Sequence, residues 1–145
     1  MTLAKLDFSD VKSGFDAVPA GDYPGQTVRG WEAKPTKAGD STNVEVKFLI
    51  EHEGKKQTVL HRWNLKPAAL WRIKRDLIAL GADPRDFESK SVDLEKVLNS
   101  LFSRSAPIAV ILTMAVRPYT RTVTQNGETT EVTTEQNDIE RIVLA

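Results

Sequence analysis

One stretch, "RPYTRTVTQNGETTEVTTE" from Arg117 to Glu135, restricts the fold more than any other part of the chain. Two runs of alternating side chains flank Asn126-Gly127, the dipeptide best suited to a two-residue type I′ turn. That turn sets a register. Gln125 faces Glu128, Val123 faces Thr130, Arg121 faces Val132, Tyr119 faces Thr134 and Arg117 faces Gln136. Side chains alternate across a ribbon, so Arg117, Tyr119, Arg121, Val132 and Thr134 share one face without a carboxylate. Glu131 and Glu135 fall on the other face, opposite Thr122 and Pro118. The expectation is a two-sided ribbon, basic and aromatic on one side, acidic and threonine-rich on the other.

The remaining pattern predicts more strands around one clear helix. Tyr23 to Ala33 reads as a strand with bends at Gly25 and Gly30, and "KPTKAGDSTN" (34–43) as a polar loop. "NVEVKFLIE" alternates, with Val44, Val46, Phe48 and Ile50 on one face and Glu45, Lys47 and Leu49 on the other. "QTVLHRWNL" (57–65) returns after a turn centred on Glu53-Gly54. An even loop count sets Val44 opposite Trp63, Val46 opposite His61 and Glu45 opposite Arg62; a three-residue loop reverses the faces. In "KPAALWRIKRDLIALGAD" (66–83), Pro67 suits the first helical turn and Gly81 the C-terminal cap. Leu70, Ile73, Leu77 and Leu80 should pack inward, and Arg72, Lys74 and Arg75 outward. A second helix is expected over 92–102, starting near Ser91 or Asp93. A buried strand is expected over 106–116, and a last strand over 138–145.

Strand, strand, strand, helix, strand, strand is the order of the OB-fold, a Greek-key barrel that binds oligonucleotides and oligosaccharides. The expected class is therefore mainly β (α+β). It is a five-stranded OB-fold-like barrel with one or two helices between strands 3 and 4 and an extended strand 4–5 hairpin. A different α+β sandwich fits the same string. Residues 1–18 read as a flexible N-terminal segment and 19–145 as a single domain, because periodic apolar positions begin only after Pro19-Ala20-Gly21.

Composition limits the chemistry. The 145 residues include no cysteine, which excludes disulfides and thiolate metal sites and points to a reducing cytoplasm. No apolar run approaches the roughly 20 residues that span a bilayer, and the N-terminus lacks a signal-peptide core. A soluble, cytoplasmic protein without a membrane partner is expected, in the host cytoplasm if the gene belongs to a phage. His52 and His61, even with Glu51 or Glu53, do not reach the three or four converging ligands of a metal site. No nucleophile, phosphate-loop or zinc motif occurs. The expectation is a protein that is not an enzyme and carries no cofactor or metal.

Net charge is zero, but its distribution is uneven. Between Arg29 and Arg75 there are 11 Lys/Arg against 5 Asp/Glu, and elsewhere 9 against 15. Such blocks either place a positive surface on a neutral protein or mix after folding. Single-stranded nucleic acid needs a positive groove for its backbone and aromatic faces for its bases. The residues of that type are Arg29, Trp31, Lys34, Lys37, Lys47, Arg62, Arg117, Tyr119 and Arg121. Trp31 suits a stacking platform or a core anchor equally, whereas Trp63 and Trp71 suit the core or helix packing. Tyr119 either stacks on a base or packs inside the barrel.

The segments "PAGDYPGQTV" (19–28), "KAGDSTNVEVKFLI" (37–50) and "NLKPAALWRIKRDLIALGA" (64–82) resemble phage-encoded OB-fold single-stranded DNA-binding proteins of replication and recombination modules. "NGETTEVTTEQNDIERI" adds weaker similarity. The resemblance implies sequence-independent binding and protection of single-stranded DNA, with RNA as the alternative strand. It points to Lys34, Lys37 and Lys47, and to phage replication or recombination proteins as partners; it leaves homo-oligomer formation open. Bacterial housekeeping relatives end in an acidic recruiting tail. This chain ends "ERIVLA", so recruitment by such a tail is not expected. The competing reading is an OB-like protein-interaction or inhibitor module that binds no nucleic acid.

Overall fold

The alternation of Val44, Val46, Phe48 and Ile50 buries one face of β3 (Thr42–His52), and the rest of the sheet is organised around that strand. The structure, a computed structural model, describes residues 17–145, and at Tyr119 and Arg121 the backbone alone. Most of the expected flexible segment, residues 1–16, lies outside the described residues. Val18, placed in that segment by the sequence, is buried in the core and exchanges hydrogen bonds with the Asn137 amide.

Two-residue turns set the registers on both sides of the molecule. Glu53-Gly54 takes φ of 52° and 75°, and β4 (Lys55–Asn64) returns along β3 with Val44 opposite Trp63 and Glu45 opposite Arg62. Asn126-Gly127 takes φ of 54° and 79° between β5 (Ala109–Gln125) and β6 (Glu128–Leu144). Every expected pair from Gln125↔Glu128 to Arg117↔Gln136 is present. The strands are longer than expected: 106–116 and the first hairpin arm fuse into β5, and the second arm and 138–145 fuse into β6. A bulge between Thr113 and Met114 is the one irregularity in their ladder.

The expected strand from Tyr23 to Ala33 is broken. β1 (Gly21–Thr27) pairs with Phe48–Ile50 of β3, whereas β2 (Glu32–Pro35) pairs with Thr42–Glu45. Between them Gly30, at φ 108°, donates its N–H to the Phe102 carbonyl at 2.7 Å. The polar loop is correspondingly shorter, because Lys34 and Pro35 are drawn into the β2–β3 ladder. β1 also pairs with β5, and Gly25 is squeezed between the two neighbours. A Cβ there would lie 2.7 Å from the Leu49 carbonyl oxygen. Pro24 is tolerated beside it because the β3 ladder starts only at Gly25.

Among the described residues all pairings are antiparallel, and the six strands run β4, β3, β1 with β2, β5, β6. β4 and β6 end this order and no ladder joins them, so the sheet is open along that seam. α1 (Leu70–Ala79) lies against both seam strands, and α2 (Leu94–Phe102) is capped by Asp93, which accepts from the Lys96 N–H. Ile73, Leu77 and Leu80 join Val97, Leu98, Leu101 and Phe102 against Phe48, Val110 and Leu112. Truncating Phe48 or Phe102 to alanine would cost about 3–5 kcal/mol.

The helix departs from its expected packing at its first turn. Leu70 is 43% exposed, since burial along α1 begins only at Ile73. Trp71, expected to pack inward, is 55% exposed. It stands roughly 200° around the helix from Ile73, at about 100° per residue. Among the described residues, no helix is long and apolar enough to cross a membrane.

Candidate nucleic-acid interface

The open seam forms a cleft of about 1250 Å³. That exceeds the roughly 300–1,000 Å³ of small-molecule pockets and suits a chain segment better than a metabolite. One wall is the β4 edge from Gln57 to Asn64, the other is β6 from Thr134 to Glu140, and Ala69, Trp71, Arg72, Arg75 and Asp76 form its helical side. The α1 and β4 side carries Arg62, Arg72 and Arg75; the β6 side carries Glu135, Asp138 and Glu140, with Arg117 reaching across from β5.

Trp71 is the aromatic presented there. The Arg72 and Arg75 guanidinium carbons lie 5.3 and 5.2 Å from its ring centroid, within cation–π range. Arg75 also donates to Asp76 at 3.0 Å and to the Glu140 carbonyl at 3.3 Å, which ties helix to β6. Behind it Asp76 is buried, accepting from the Trp63 indole at 2.8 Å, with His61 Nε2 at 3.4 Å. Burial pushes the Asp76 carboxyl up most strongly of any single influence. The hydrogen bonds from His61, Trp63 and Arg75 together outweigh it, and the pKa ends below the usual value.

The residues singled out from sequence fall into separate settings. Lys34 bonds Glu45 at 2.9 Å and Glu32 at 3.2 Å, and Arg62 bonds Glu45 at 2.6 Å. Glu45 thus bridges two of the expected DNA-binding cations. The contact from Lys34, then that from Arg62, holds its carboxyl below the ordinary range. Arg117 lies opposite Gln136 as expected, yet it bonds Asp138 at 2.6 Å and Glu140 at 3.3 Å. The carboxylate-free face therefore ends at Arg117. Asp138 stands two pairs further down the ladder, the next position on that face, and Glu140 is the extra residue at the bulge. The side chains of Tyr119 and Arg121 lie outside what the structure describes.

Lys47 is exposed on β3 opposite Leu60, and Lys37 is exposed in the 36–41 loop. Among the described residues neither has an ion-pair partner. Leu60 and Arg62 also line the cleft, so the outer face of β3–β4 continues into the seam. Arg29 and Trp31 do not share a strand face; they lie in the break between β1 and β2. Arg29 lines a separate hollow with Leu101, Phe102 and Arg104. Trp31 is half-buried against the core and donates its indole N–H to Asn99 at 2.8 Å, the setting of an anchor more than of a free platform. His52 and His61 are also apart: His52 meets Tyr23 edge-on, and His61 packs on Trp63. No group of three or more His, Asp or Glu side chains suited to a metal ion occurs among the described residues.

Trp71, Arg72 and Arg75 are the cleft residues that the sequence reading left out. Their signal is the spacing Trp71–Arg75, one helical turn, on the side away from Ile73, Leu77 and Leu80. Comparison with protein-family models gives no matching family, and comparison with curated proteins gives no match.

Proposed function

We propose that the protein is a non-catalytic single-stranded DNA-binding protein with little sequence preference, serving phage-type replication or recombination. The observation that carries this reading is the exposed Trp71 with Arg72 and Arg75 at its ring, set in a cleft of about 1250 Å³. A base stacked on an aromatic ring contributes about 1–3 kcal/mol whatever its identity, and nearby guanidiniums supply phosphate contacts. The order of a bent first strand, two further strands, a helix and a terminal hairpin supports an OB-like barrel left open at the β4–β6 seam. In this reading the DNA follows the seam and the adjoining β3–β4 face, past Arg62 and Lys47.

Fluorescence anisotropy with labelled single- and double-stranded oligonucleotides at two salt concentrations is the test. Preference for the single strand, weakening steeply with salt, is expected. The competing reading, a protein-interaction or inhibitor module, draws on the carboxylates that hold Lys34, Arg62 and Arg117. Absence of any shift at low salt would leave that reading in place of this one.

A further inference from the structure

The upper half of β6, from Glu128 to Gln136, is an open edge: β5 lies on one side, and among the described residues no strand lies on the other. Proteins usually protect such edges with charged side chains, lysine above all, with proline or with a bulge. Between Glu128 and Gln136 there is no lysine, proline or bulge, and the only charges are Glu128, Glu131 and Glu135; the bulge lies further down, at Glu140 opposite Thr113 and Met114. Five of the residues are β-branched instead (Thr129, Thr130, Val132, Thr133 and Thr134), and all but Val132 in this stretch are exposed. The two-residue turn makes Gln125 and Glu128 a hydrogen-bonded pair. The backbone groups of even-numbered residues therefore point to β5, and those of Thr129, Glu131, Thr133 and Glu135 point outward.

We infer that this edge pairs with the same edge of a second copy of the chain, β6 antiparallel to β6, about a two-fold axis at Val132. A two-fold axis through an antiparallel pair sets one residue opposite itself. Centring it on Glu131 opposes that carboxylate to its own copy, and centring it on Thr133 opposes Glu131 to Glu135; like charges directly opposite destabilise a sheet. Centring it on Thr134 brings Glu128 against Glu140, and centring it on Thr130 runs Glu135 past the turn. At Val132 no carboxylate stands directly opposite another, and the like charges are left only on diagonals. Glu131 meets Thr133, Glu135 meets Thr129, Glu128 meets Gln136, and outward backbone groups meet outward backbone groups. The product is a four-stranded ribbon formed by two hairpins; it covers the Thr134–Gln136 end of the cleft's β6 wall and rests on no nucleic-acid contact.

The chain has no cysteine, so Val132→Cys supplies the sole thiol. At the axis it forms a non-hydrogen-bonded pair with Cα atoms about 4.5 Å apart, within disulfide reach. Thr130→Cys or Thr134→Cys would sit roughly 13 Å from its own copy, too far to bridge. Under mild oxidation V132C should run as a covalent dimer on a non-reducing gel, while T130C and T134C stay monomeric. Thr133→Pro removes an outward N–H without touching the β5–β6 ladder. It should weaken the dimer at least tenfold in sedimentation and abolish cross-linking of V132C, with an unchanged circular dichroism spectrum. Thr133→Lys, facing Glu131 of the other copy, should tighten the dimer. Equal cross-linking at all three positions, no cross-linking at Val132→Cys, or a native protein monomeric to about 100 μM overturns the inference.

Discussion

Asp76→Asn tests how the seam is held. The Asp76 carboxylate accepts from the buried Trp63 indole and from Arg75, and it stands beside His61, so three groups from α1 and β4 converge on it. Hydrogen bonds to a charged group contribute about 1.5–3 kcal/mol, against about 1 kcal/mol for a neutral pair. An asparagine oxygen can keep the Trp63 bond, but it loses the charge and turns an amide N–H₂ toward other donors. The expected loss is about 2–3 kcal/mol, a fall in Tm of roughly 6–15 °C for a domain of this size. Asp76→Ala leaves the Trp63 N–H buried without an acceptor and should cost about 3–5 kcal/mol.

The pH dependence carries the sharper test. The folded pKa of Asp76 lies below the ordinary aspartate value of 3.8, so the native state favours the ionised form. Its contribution is present in full above the unfolded pKa and is lost as pH falls through the folded one. Urea unfolding at about pH 8, well above the carboxyl range, should therefore show the full difference between the native protein and D76N. The difference should shrink below about pH 4. Equal stability at neutral pH would refute the network. A gap unchanged to about pH 3 would show that charge plays no part in it.

Trp71→Ala should keep the fold, since the ring is more than half exposed, and should weaken single-stranded DNA binding about 5- to 150-fold by anisotropy. Trp31→Ala should instead lower the Tm, because it strips a core contact and the Asn99 hydrogen bond; unchanged stability with lost affinity would restore Trp31 as the platform. Glu45→Gln frees Arg62 and leaves Lys34 with Glu32 alone, so single-stranded DNA should bind several-fold more tightly, with a salt slope steeper by about 0.7 for each phosphate gained. An unaltered slope would mean that neither cation touches the backbone. Gly25→Ala should destabilise the fold by more than about 2 kcal/mol, as its Cβ meets backbone 2.7 Å away; a wild-type melting curve would refute the close β1–β3 approach.

The primary structure alone determined what neighbouring residues settle between themselves. Asn126-Gly127 imposes a two-residue turn, and period-two alternation then fixes which faces meet, so the register of that hairpin was legible; around Glu53-Gly54 the sequence left two registers, and the even loop is the one that formed. The stripe Ile73, Leu77 and Leu80 and the caps at Asp93 and Gly81 are equally local. Tertiary structure decided which cations are engaged and which aromatic is presented. Glu45 captures Lys34 as well as Arg62 because β2 pairs with β3 on the edge away from β4, and Arg117 is taken up by Asp138 and Glu140 of the neighbouring β6. Helical phase turns Trp71 away from the Ile73 face, and the open seam then presents it in the cleft. Turn and alternation energies act over a few residues along the chain. Ion pairing and burial depend on distances between strands far apart in sequence, which exist only once the sheet has formed.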